Sequence, residues 1–266
     1  MHLFSGVVTS PESSDEKILR KTLTKPTRQL NILLLGETGV GKSTWINGFA
    51  NYLSYATLEE ARLNDGITLI ASSFSLQDNA FREVDIHTGE DDNEIQEVGQ
   101  SSTQLPQTYS FLATEGIAVR LIDTPGIGDT RGIETDKVNM QSILNHIADF
   151  EELHGICILL KPNNARLGVM FQFCIRELLT HLHRSACQNI VFCFTNSRCT
   201  FFRPGDTLPA LKKLLSDDEN DAFRNLNKDM IYCFDNEAVR YLYAVRRASR
   251  SPTRRRMTTK QATIDR

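Results

Sequence analysis

Nine consecutive residues, Gly36-Glu37-Thr38-Gly39-Val40-Gly41-Lys42-Ser43-Thr44, follow directly on the apolar run Leu30 to Leu35. Their types and spacing suit the grip of a nucleoside triphosphate: small residues let backbone amides close around phosphates, Lys42 brings a point charge to the β and γ oxygens, and Ser43 offers a hydroxyl to Mg²⁺. Trp45 to Leu53 continue as a helix whose positive end faces the phosphates. A second set, Asp123-Thr124-Pro125-Gly126, ends the apolar stretch Val119 to Ile122. There Asp123 would hold Mg²⁺ through a water, and the Gly126 amide would sense the γ-phosphate.

Both sets need a scaffold that brings strand ends together. Short apolar runs recur at Leu30 to Leu35, Ile117 to Ile122, Gly155 to Leu160, Asn189 to Phe194 and Met230 to Phe234. Each has the length of a buried strand. Helical patterns lie between and after them at Ile133 to Phe150, Leu167 to His183, Leu208 to Leu215 and Glu237 to Arg247. The alternation predicts a three-layer α/β domain with a mostly parallel sheet and helices on both faces. Thr108 to Ala113 reads as one antiparallel edge strand. Ligands of such sheets bind at the carboxyl ends of the strands, where both sets fall.

Composition narrows the class further. The net charge of -3 gives no global pull toward nucleic acid, and no specific nucleic-acid partner is expected. Six cysteines show no metal spacing, and several sit in apolar runs as small core residues, which fits a reducing compartment. No apolar run reaches the length of a membrane span and no leader pattern is present, so a soluble, cytoplasmic protein is expected. Residues 1–28 are polar and read as a flexible arm before a domain spanning 29–246. Within that domain, 83–98 is acidic and reads as a mobile insertion. From Arg246 onward there are eight basic residues against one acid, so 247–266 reads as a disordered basic tail able to touch acidic membrane.

The motifs resemble those of the septin and AIG1/Toc translocon type of P-loop GTPase. The residues that carry the likeness are the Gly36 to Thr44 run, Asp123-Thr124-Pro125-Gly126-Ile127-Gly128-Asp129, and Gly99-Gln100-Ser101-Ser102-Thr103, which is similar to that family's switch I. The resemblance implies GTP or GDP as bound nucleotide with Mg²⁺, and makes Thr103 the switch residue that closes on metal and γ-phosphate. Ser101, Ser102 and Thr108 are its rivals. By position, Thr195-Asn196-Ser197-Arg198 stands where the family reads the base, but an arginine replaces the usual aspartate, and Arg198 can only donate hydrogen bonds. Relatives that stray in this way use the loop after the last strand, here Phe234-Asp235-Asn236-Glu237. Asp235 or Glu237 could then accept from guanine, or Asp235 and Asn236 could cap the following helix.

Ile127 occupies the position at which related enzymes hold a water-positioning glutamine, and isoleucine cannot hydrogen-bond water. The resemblance therefore implies slow hydrolysis, helped by a homodimer or oligomer formed through the nucleotide face, with Thr103 the catalytic candidate and Arg131 and Arg166 possible contributors. Asp129 and Asp206 read as turn or helix caps. A nucleotide-binding scaffold without turnover and an ATP-using P-loop enzyme stay open as alternatives.

Overall fold

The computed structural model describes residues 8–9, 28–78, 80–89, 103–114, 116–128, 131–181, 184–216 and 226–250. In chain order the elements are β1 (Val8–Thr9), β2 (Arg28–Gly36), α1 (Lys42–Ser54), α2 (Leu58–Leu63), β3 (Ser72–Gln77), β4 (Glu83–Thr88), β5 (Gln107–Thr114), β6 (Ile117–Asp123), α3 (Ile133–Ile147), β7 (Gly155–Leu160), α4 (Val169–His181), β8 (Ile190–Phe194), α5 (Thr207–Ser216), β9 (Ile231–Cys233) and α6 (Glu237–Arg250).

One sheet runs in the order β1-β5-β6-β2-β7-β8-β9. Its centre is parallel: β2 lies between β6 and β7, and β8 and β9 extend it. Consecutive residues Leu33, Leu34 and Leu35 are all buried, because a central parallel strand is covered on both faces. Leu33 and Leu35 join Met140 and Ile143 of α3, Phe171 and Leu178 of α4, and Leu211 of α5 in one core. Leu34 faces the opposite way, into a second core with Ile46 and Ala50 of α1 and Tyr109 and Phe111 of β5. The three-layer α/β reading is thus borne out, with helices on both faces.

Three features differ from expectation. β5 is antiparallel to β6 as expected, but Val8 and Thr9 pair outside it, so it is not the edge, and part of the expected N-terminal arm is strand. Glu83–Thr88, read as the start of a mobile insertion, is a strand paired in register with Ser72–Gln77 in a separate two-stranded sheet. Residues 90–98 of that insertion lie outside the described residues. Finally, Arg247–Arg250 continue α6, and the rest of the expected basic tail, 251–266, lies outside the described residues. The β3–β4 hairpin is held by α6: Ile86 packs with Val239, Leu242 and Tyr243, and the Arg240 guanidinium sits 4.7 Å above the Phe74 ring.

Five described cysteines, Cys157, Cys174, Cys193, Cys199 and Cys233, form no disulfide. Burial pushes the Cys174 thiol up to about 12, so it behaves as a small apolar core residue rather than a nucleophile. Among the described residues no helix is long and apolar enough to cross a membrane.

Candidate functional site

The phosphate loop leaves β2 at Gly36 and enters α1 at Lys42. Its bend depends on Gly39 and Gly41, whose φ angles of 70° and 99° lie in the left-handed region that costs a side-chain-bearing residue strain. Gly41 caps α1 without any side-chain hydrogen bond, which leaves the helix-start amides for an anion. Lys42 is buried, 7% exposed, and its Nζ donates to the Gly36 carbonyl at 3.2 Å, so the ammonium is folded back over the loop.

Asp123 ends β6 beside this loop and is wholly buried. The Thr103 hydroxyl, 3% exposed, donates to Asp123 Oδ2 at 3.2 Å. Two residues read from sequence as metal-facing, 20 positions apart, are therefore brought together. Of the rivals to Thr103, Thr108 is turned toward His146, its hydroxyl 3.1 Å from the ring Nε2, and burial lowers the pKa of that histidine. Ser101 and Ser102 lie outside the described residues, as does Asp129.

The segment after Asp123 is laced to the phosphate loop. Thr124 donates its hydroxyl to the Leu34 carbonyl at 2.7 Å, Ile127 N donates to Gly36 O at 3.1 Å, and Thr38 N donates to Ile127 O at 2.8 Å. Gly126 passes so close to Thr38 that a Cβ there would lie 2.7 Å from the Thr38 Cα. Ile127 is 3% exposed and belongs to the core, which accounts for an apolar residue at this position. A clasp invisible in sequence completes the segment: Asp136, 2% exposed in the first turn of α3, accepts from Gly128 N at 3.0 Å. An acid in the first turn of a helix is too common to have signalled it.

The loop after β8 is tied to the phosphate loop by Thr195, whose hydroxyl donates to Val40 O at 2.7 Å. Asn196, with φ 52°, is turned outward and exposed. Asp235 has both carboxylate oxygens engaged by backbone amides, Oδ1 by Glu237 N at 3.0 Å and Oδ2 by Arg198 N at 3.2 Å. The cap reading left open for it is the one the geometry supports, and it clasps two loops at once. Asn236 lies against α1, its Nδ2 3.9 Å from where a Gly41 Cβ would stand. Arg131 is engaged by Gln104 Oε1 at 3.0 Å, Arg166 is exposed, and Asp206 directly precedes α5, its amide 3.4 Å from Asn163 Oδ1.

Replacing Thr195 with Val keeps the shape and removes the donor to Val40 O. The buried carbonyl then loses a partner, at a cost of about 1–3 kcal/mol. Urea unfolding followed by Trp45 emission should show that loss, and an unchanged midpoint would mean the strut contributes nothing to stability.

No family model matches the chain. GTP-binding protein A of Dictyostelium discoideum is 26% identical over 171 residues, which make up 64% of this chain but 29% of that protein. Among solved structures, that of the chloroplast translocon components atToc33 and psToc159 superposes with a TM-score of 0.50 at 13% identity, covering 83% of this chain and 74% of the other. The chain therefore shares the fold of that neighbour, as the resemblance carried by the motifs implies. Arabidopsis thaliana Toc33 in complex with Mg²⁺ and GMPPNP aligns over 87% of each chain, at 12% identity and a TM-score of 0.46.

Proposed function

We propose that this chain is a GTP-binding domain that takes the nucleotide with Mg²⁺, hydrolyses it slowly, and changes its self-association or partner binding with nucleotide state. The observation that carries the reading is the convergence of a phosphate loop, the buried Lys42 and the Thr103–Asp123 contact at one end of the sheet. The name of the Dictyostelium relative supports guanine nucleotide binding, although this chain spans under a third of that protein.

Among the described residues no group of three or more His, Cys, Asp or Glu side chains could hold a metal. The oxygen donors of Ser43, Thr103 and Asp123, completed by phosphate, are instead the hard set that Mg²⁺ takes. Mg²⁺ would neutralise charge on the β and γ oxygens. Lys42 would add a second positive charge at the same oxygens, the loop amides from Gly39 to Thr44 would cradle them, and Gly126 N would meet the γ-phosphate. Thr103 would close over the site when that phosphate is present. A cytoplasmic setting fits the undisulfided thiols, and the basic stretch from 247 onward offers a peripheral contact to acidic membrane.

Turnover is where this chain lacks a part. Ile127 is apolar and packed into the core, so it cannot orient water. An isolated subunit should therefore turn over at about 10⁻⁴ to 10⁻³ per second, the range of unassisted small GTPases. The Toc33 and Toc159 study describes dimerization as important for GTPase activity in those proteins, which supports a homodimer through the nucleotide face here. Phosphate release per subunit, followed across a wide dilution series with light scattering to report assembly, should rise as dimers form. Constant specific activity through that transition would reject subunit-assisted hydrolysis. No release after prolonged incubation would favour a second reading, a nucleotide-binding scaffold, which the buried Ile127 also fits.

A further inference from the structure

The peptide unit joining Ile127 to Gly128 is gripped at both ends. Its carbonyl, Ile127 O, accepts from Thr38 N of the phosphate loop at 2.8 Å, and its N–H, Gly128 N, donates to Asp136 Oδ1 at 3.0 Å. The unit before it is held as well, by Ile127 N on Gly36 O at 3.1 Å. Both bonds of Ile127 come from the phosphate loop, whereas the bond to Gly128 comes from α3. The side chain that makes it is costly to place there: Asp136 is 2% exposed, and a carboxylate taken out of water is stable only where donors meet its oxygens. Its position in the first turn of α3 lowers that cost, because a helix start favours an anion, yet Oδ1 is directed at the turn before the helix. That turn is itself specific, since Gly128 has a φ of 78°, in the left-handed region that glycine adopts without strain.

We propose that Asp136 is a positioning residue for γ-phosphate recognition: its buried carboxylate fixes the Ile127–Gly128 peptide plane and, through it, the direction of the Gly126 amide. This rests on the GTP-binding reading and specifies how that site tells a triphosphate from a diphosphate. Only Ile127 separates the gripped plane from Gly126, and its side chain is locked in the core. Gly126 in turn is pressed so closely against Thr38 that a Cβ there would lie 2.7 Å from the Thr38 Cα. A shift of the plane is therefore passed back to the Gly126 amide rather than absorbed on the way. With the clasp in place, a γ-phosphate meets a donor already aimed at it. Without the clasp, the turn has to be ordered at the moment of binding, and that cost falls on the triphosphate. GDP lacks the group that Gly126 would meet, so its affinity does not depend on the clasp.

The test is displacement of one fluorescent guanine nucleotide by GDP and by GMPPNP, in excess Mg²⁺, on wild type and four variants, with single-turnover GTP hydrolysis measured alongside. Asp136→Ala should bind GDP within about threefold of wild type but GMPPNP about tenfold more weakly. Its single-turnover rate should fall at least about tenfold. Asp136→Asn keeps an Oδ1 acceptor for Gly128 N, so GMPPNP affinity should return to within about threefold of wild type. Asp136→Glu keeps the charge but moves the acceptor by one methylene, so it should show the selective loss of the Ala variant, and it decides the matter if that variant does not fold. Ile143→Val removes a methyl group from a buried residue of the same helix, and should lower the urea midpoint read by Trp45 emission without changing the ratio of GDP to GMPPNP affinity. A clasp that serves stability alone would behave as Ile143→Val does, with both nucleotides weakened alike or neither. That pattern in the Ala and Glu variants would overturn the inference and leave guanine nucleotide binding intact. So would a changed ratio in Ile143→Val, since the ratio would then follow stability. Wild type that binds neither nucleotide would overturn the GTP-binding reading, and the inference with it.

Discussion

Lys42→Ala should weaken GTP binding at least tenfold. The Lys42 side chain is buried at the phosphate loop, and its Nζ donates to the Gly36 carbonyl at 3.2 Å. It is thus poised over the position that β and γ oxygens would take. A charge-assisted contact in a water-poor site contributes about 1.5 to 3 kcal/mol or more, and 1.4 kcal/mol is a factor of ten in affinity. Displacement of a fluorescent GTP analogue measures the change. Lys42→Met, which keeps the apolar stem, should lose the same affinity, so a loss confined to the Ala variant would point to packing rather than charge. Equal affinity in both variants and wild type would remove the phosphate loop from nucleotide binding.

Gly126→Ala should separate binding from turnover. A Cβ at Gly126 would stand 2.6 Å from Thr38 Oγ1 and 2.7 Å from Thr38 Cα, inside any normal contact, so backbone must move. What moves is the amide proposed to sense the γ-phosphate. Losing one preorganised donor of this kind costs on the order of 10²-fold or more in rate. GTP hydrolysis should accordingly fall about 100-fold or more, while GDP, which has no γ-phosphate to be sensed, should bind within about threefold of wild type. Adding Thr38→Gly relieves only the hydroxyl contact, leaving the backbone clash, so the double variant should remain slow. Wild-type turnover in the single variant would show that Gly126 has no part in reading the γ-phosphate.

The central sheet, and the strand ends at which both motifs lie, were legible because their signals are local. Leu30 to Leu35 is a continuous apolar run that only a strand covered on both faces requires, and the loop behind it has each residue type that phosphate binding demands. The β3–β4 hairpin was not read, although Ser73-Phe74-Ser75-Leu76-Gln77 and Glu83-Val84-Asp85-Ile86-His87 alternate polar and apolar residues and pair Phe74 with Ile86 and Leu76 with Val84; each alternation is only two apolar residues long, and the acids that begin at Glu83 outweighed it. Its stability comes from α6, about 150 residues away, through contacts such as Arg240 on Phe74. β1 is two residues long, too short for any periodicity.

Within the site, the decisive relations are long-range. That Asp235 is a clasp follows from Arg198 N, 37 residues earlier, and no local pattern separates it from an acid meeting a base. The Thr103–Asp123 contact joins a residue singled out by resemblance to one singled out by its motif, whereas the clasp of Asp136 on Gly128 had no sequence signal, since first-turn acids are ordinary helix features. Trp45 is half-buried. Its ring stacks on Phe49 at 5.6 Å and lies 6.0 Å from Phe234, which belongs to the loop carrying Asp235. It therefore reports on both the helix behind the phosphate loop and the loop after β9.

The most direct test of the GTP–Mg²⁺ site is a calorimetric titration of the wild-type chain with GTP, in excess Mg²⁺ and again with the metal chelated. The account predicts saturable binding of about one nucleotide per chain, because one phosphate loop is present, with affinity falling at least tenfold when Mg²⁺ is removed. Trp45 emission should shift over the same concentration range. No saturable binding, or an affinity indifferent to the metal, would contradict the assignment of Lys42, Ser43, Thr103 and Asp123 to a single triphosphate site.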